Sequence, residues 1–120
     1  MIIFHLTTAE DWQKAEKLGK YKAPSLEREG FIHCSTKPQV TIIANTFYSE
    51  YCELTLLEID TEKLISEVRW ESPVHPNSHV SHKINNNDKF PHVYGAINLE
   101  AIIQIIPLKK KSSQSQFVIT

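Results

Sequence analysis

Glycine is scarce, with three residues in 120. The glycine-rich phosphate loop, the dinucleotide-binding glycine fingerprint and the nucleophile elbow are all absent. No stretch approaches the roughly 20 consecutive apolar residues of a membrane-spanning helix. The apolar start at residues 1–5 is short and lacks the basic residues of a signal peptide. The two cysteines, Cys34 and Cys52, could form one disulfide, but with nothing that suggests export they read rather as buried free thiols of an intracellular protein. Neither sign of charge dominates: thirteen Lys and Arg against fourteen Asp and Glu leave a net charge of -1. That gives no global attraction to nucleic acid or to a membrane surface. These absences together point to a cytoplasmic protein.

What is present fits one domain over residues 1–120, with 41% apolar residues and 22% charged ones, enough to bury a core. Residues 2–6 read as a strand, with Ile2, Phe4 and Leu6 on one face and Ile3 and His5 on the other. Thr8 is placed to cap a helix in which Trp12, Ala15 and Leu18 recur at helical spacing, with Gly19 as its stop. Residues 20–29 form a connection with room for one helical turn at residues 25–28. Thr36 and Gln39 form a capping-box pair around Pro38, and Val40, Ile43, Ala44 and Phe47 make the core stripe of a second helix. Strands are expected at residues 51–60 and 67–71, in an ordered return at 90–95, and at 101–108, the last reading as central. Residues 117–119 suit an edge strand. The expected class is α+β, with a mostly antiparallel or mixed sheet and two helices in the N-terminal half.

The stretch from Glu29 to Ser35 concentrates the chemistry. Alternation puts Phe31, His33 and Ser35 on one face, and Ile32 and Cys34 on the other. Cys34 therefore cannot form a dyad with His33 from the same strand. A helix beginning just after Ser35 sets that hydroxyl among outward backbone N–H groups, suited to an anionic or carbonyl ligand group. His5, His33 and His92 each lie in or beside an apolar strand, one followed by Ser35 and one by Tyr94. Three such histidines from separate segments point to a shared pocket. His75, His79 and His82 are close in sequence, but Pro73, Pro76 and the run of three asparagines argue against a helical metal site.

The segments Phe4-His5-Leu6, Glu29-Gly30-Phe31-Ile32-His33-Cys34-Ser35, Leu57-Glu58-Ile59-Asp60, Trp70-Glu71 and Phe90-Pro91-His92-Val93-Tyr94-Gly95 closely resemble domain-of-unknown-function family 952, over nearly the whole chain. The resemblance implies a small bacterial protein with a split sheet similar to that of ADP-ribosyltransferases, which grip NAD in a central cleft. By order along the chain, His5 would match the first signature strand, His33 with Ser35 the second, and His92 the third. The implied roles give His5, His33, Ser35 and Thr36 to nucleotide binding and His33, His92 and Tyr94 to catalysis. The reaction would be ADP-ribosyl transfer or the related RNA 2′-phosphate transfer. The late-strand glutamate of many such transferases is replaced here by His92 or Tyr94, with Glu71, Asp88 and Glu100 as nearby acidic alternatives. Two other readings stand beside this one: a non-catalytic nucleotide- or partner-binding module, and a metal site built from the histidines.

Overall fold

The protein, as a computed structural model, is described over residues 1–73 and 88–119; His75, His79 and His82 lie outside the described residues. In chain order the elements begin with β1 (Ile2–Thr7), α1 (Ala9–Leu18), β2 (Lys20–Tyr21), α2 (Pro24–Glu29), β3 (Ile32–His33) and α3 (Lys37–Phe47). They continue with β4 (Glu53–Asp60), β5 (Glu67–Glu71), β6 (Phe90–Tyr94), β7 (Ile97–Asn98), a 3-10 turn (Leu99–Ala101) and β8 (Ile102–Lys109). The class is α+β, and every strand pairing described is antiparallel, in sheets ordered β1-β4-β8, β2-β7 and β3-β6-β5.

Alternation in β1 divides the interior. Ile3 joins Ala15, Tyr21, Ile32, Cys34, Leu57, Ile59 and Val93 in one apolar cluster, while Phe4 and Leu6 join Val40, Ala44, Leu54, Leu56 and Phe117 in another. His5 shares the face of Ile3, and that is the face that reaches the second large sheet. Phe4 and Ser35 join the two sheets by exchanging both backbone hydrogen bonds, each 2.8 Å long. The β3 ladder is short for a chemical reason. Cys34 donates its N–H to the Pro91 carbonyl at 3.0 Å, but proline has no N–H to return, and pairing stops after His33.

Helix ends follow the sequence closely. Thr8 Oγ1 accepts from the Asp11 N–H at 3.1 Å, and Gln39 Oε1 accepts from the Thr36 N–H at 2.9 Å, closing the capping box. Gly30 ends α2 in the left-handed region at φ 88°, which turns the chain directly into β3.

Several expectations are corrected. Helices number three among the described residues rather than two, because Pro24 at the start and Gly30 at the end make α2 a full element. Residue Leu18 is 58% exposed, so only Trp12 and Ala15 of α1 reach the core. Strand β8 is the outer member of its sheet, with Ile103 and Ile105 both 44% exposed; β4 is the central one. Cys52 is exposed, unlike buried Cys34, and both are free thiols. Residues 117–119 form no strand. Instead the Asn45 side chain accepts from the Phe117 N–H at 2.7 Å and donates to its carbonyl at 3.1 Å, seating the ring in the second cluster. No helix among the described residues is long and apolar enough to cross a membrane.

Candidate functional site

A cleft of about 580 Å³, within the ordinary size range of small-molecule sites, opens where β1, α2, β3 and α3 meet. His5, His33, Ser35 and His92 line it together, as three separated histidine motifs were expected to do. Ile43, Phe47, Tyr48, Tyr51 and Phe90 also line it, and the aromatic ones offer surfaces on which a planar ring can stack. Arg28 is a lining cation with no carboxylate partner among the described residues. Tyr94 and Thr36 are not part of the lining: Tyr94 meets the cluster from behind, and Thr36 caps α3.

Each histidine has a distinct setting. His5 is buried, and its Nδ1–H donates to the His33 carbonyl at 2.6 Å. Its Nε2 is then a lone pair facing the Tyr21 hydroxyl at 2.8 Å, and Tyr21 in turn lies 3.0 Å from Thr7 Oγ1. Burial lowers the His5 pKa to about 4 and pushes that of the Tyr21 phenol up. With both nitrogens engaged inside the protein, His5 acts on the cleft through the backbone of His33.

His33 is half-buried, and its Nε2 meets Glu29 Oε2 at 2.5 Å, a pair created by the turn at Gly30. His92 is buried, with Nδ1 at 2.8 Å from Glu71 Oε1. The same carboxylate oxygen accepts from the Tyr94 hydroxyl at 2.6 Å, and the Arg69 guanidinium lies 4.3 Å above the Tyr94 ring. Burial lowers the His92 pKa, opposed by the bond to Glu71 and reinforced by nearby His33. The bonds from Tyr94 and His92 hold the Glu71 carboxyl below the usual carboxylate range.

The rings of His33 and His92 meet edge to face with centroids 5.3 Å apart. The cluster is thus two imidazoles in contact, each with a carboxylate on one nitrogen. Such an arrangement can move a proton at the free nitrogen while the carboxylate fixes ring orientation. Thr7, Tyr21 and Arg28 carry no site signal in the sequence, and Glu29 and Phe31, inside the stretch that does, are given no role there. Glu29 was visible, lying i,i+4 from His33, whereas the Glu71–His92 pairing spans a strand pair and carries no local signal. Among the described residues no group of three His, Cys, Asp or Glu side chains gathers as a metal site requires.

A family model described as "Protein of unknown function (DUF952)" matches residues 6–105. The crystal structure of protein CC0527 from Caulobacter crescentus is similar, with 20% identity and a TM-score of 0.79, over 97% of this chain and 93% of that one. A crystal structure of a double mutant of that protein gives 19% identity and a TM-score of 0.78, with the same coverage. The solution structure of CC0527 gives 20% identity and a TM-score of 0.73, over 96% of this chain and 90% of that one. At these identities the likeness speaks for the fold alone. No curated protein matches the chain.

Proposed function

The chain belongs to the DUF952 family, and from that premise we propose that it has an ADP-ribosyltransferase-like fold whose cleft binds NAD or a related nucleotide. The reaction is transfer at the ribose, to an acceptor hydroxyl or in RNA 2′-phosphate removal. One observation carries this reading: two histidines from different strands, His33 and His92, touch at the cleft, each anchored by its own carboxylate. Fit to the ligand rests on cleft volume, the aromatic lining residues Phe47, Tyr48, Tyr51 and Phe90, and Arg28 as a partner for phosphate.

When bound, NAD supplies a glycosidic bond from which nicotinamide departs. His92, neutral in its buried setting, acts on the reacting ribose, accepting from one of its hydroxyls at Nε2, while the proton of the acceptor hydroxyl passes to water as nicotinamide leaves. His33 and Ser35 orient the nicotinamide end, and Glu29 steadies the His33 ring. The His5–Tyr21–Thr7 chain holds the His33 backbone, so it positions rather than touches the ligand.

Calorimetric titration with NAD, followed by an assay of nicotinamide release, tests the proposal. Saturable binding and release abolished in His33→Ala support it. Absence of chemical-shift change at His5, His33, Ser35 and His92 in millimolar NAD rejects it. A second reading, a binding module without turnover, is favoured by the 1% exposure of His92, which restricts acceptor access. Binding with no nicotinamide release selects that reading.

A further inference from the structure

The carboxylate of Glu71 faces two donors at one atom: Oε1 lies 2.8 Å from His92 Nδ1 and 2.6 Å from the Tyr94 hydroxyl. An ionised carboxylate only accepts, so both protons point at it. The proton on Nδ1 and the burial of the ring together leave Nε2 bare, and among the described residues no protein donor reaches that nitrogen. We propose that Glu71 is a positioning residue that locks His92 in the Nδ1-protonated tautomer. His92 thereby presents Nε2 to the cleft as an acceptor, matched to a ribose hydroxyl of the ligand and not to a phosphate oxygen. The geometry has the form by which a carboxylate fixes the tautomer of a working imidazole. Arg69, packed on Tyr94, holds the second donor in place.

The first test needs no ligand. Imidazole nitrogen NMR of the wild type is expected to show His92 protonated at Nδ1 with a pyridine-like Nε2. In Glu71→Ala the two nitrogen signals exchange character, and in Tyr94→Phe they keep it, because Glu71 still holds Nδ1. Should Glu71→Ala unfold, Glu71→Leu carries the same test, because it fills the space but has no oxygen to accept from Nδ1–H. A wild-type ring protonated at Nε2, or signals indifferent to Glu71 replacement, overturns the assignment.

The ligand half rests on the nucleotide reading. NAD is compared by calorimetry with analogues bearing fluorine at the 2′ or 3′ position of the nicotinamide ribose, which keep shape but cannot donate. About tenfold or greater weakening for one analogue supports the hydroxyl contact. Equal affinities overturn it with nucleotide binding intact. If NAD itself fails to bind, the nucleotide reading and this half fall together, and the tautomer result stands on its own.

Discussion

His92 lies face to face with Phe31, their centroids 4.2 Å apart and their planes 20° from parallel. The same Phe31 ring tilts against His33 at 4.8 Å and against Tyr94 at 5.3 Å. One apolar side chain on the strand edge is therefore the floor on which three polar aromatic groups are arranged. Offset and tilted contacts of this kind add to what burial of the ring already contributes.

Removing that floor has a stability cost and a geometric one. Phe31→Ala is expected to destabilise the protein by about 3–5 kcal/mol, as truncation of a buried aromatic does. Urea unfolding measures it, and a loss below about 1 kcal/mol would show that the cluster holds its shape without the stack.

Acid sensitivity follows from His5. The unfolded chain binds a proton there near the ordinary value of 6.5, the folded chain only near 4, because burial disfavours the imidazolium. Stability is therefore constant above the ordinary value, falls as pH drops from about 6.5 to about 4, and levels off below. The loss from this residue is on the order of 3 kcal/mol. His92 acts in the same direction, and Glu71, held below its usual range, adds a further loss at lower pH. Unfolding free energies across this range, compared between wild type and His5→Gln, check the point; parallel curves contradict it.

Gly95 sits where β6 turns toward β7, at φ 148°, and a Cβ there would lie 2.5 Å from Ser66 Oγ. That hydroxyl is itself committed, donating to the Ala96 carbonyl at 2.6 Å. Gly95→Ala is expected to cost about 1–3 kcal/mol through backbone strain and the clash. Adding Ser66→Ala removes the 2.5 Å contact but leaves Ser66 Cβ at 3.1 Å and the backbone strain, so the double variant should recover only part of the loss. Thermal or urea denaturation reads both.

Where local rules decide, the sequence was a good guide. Alternation in β1 correctly divided Phe4 and Leu6 from Ile3, Thr8 and Gln39 marked helix starts, and residues 67–71 formed β5 over the expected span. Three histidine motifs far apart in the chain do line one cleft. Other features depend on what lies across space. Strand β8 looks central because it is rich in isoleucine, yet sheet order leaves its outer edge without a partner strand among the described residues. The seat of Phe117 depends on Asn45, 72 positions away, and an amide side chain announces no such partner in sequence. Glu71 is one of three acidic residues near His92 in the chain; the β5–β6 register sets Arg69 opposite His92 and Glu71 opposite Phe90, and Glu71 reaches the imidazole on the diagonal.

The paired amides of Phe4 and Ser35 carry a mechanical consequence. Because that stitch joins two sheets at Ser35, which lines the cleft, the sheets cannot part there without rupturing it. Solvent exchange at those two amides is thus a clock for how often the sheets part beside the cleft.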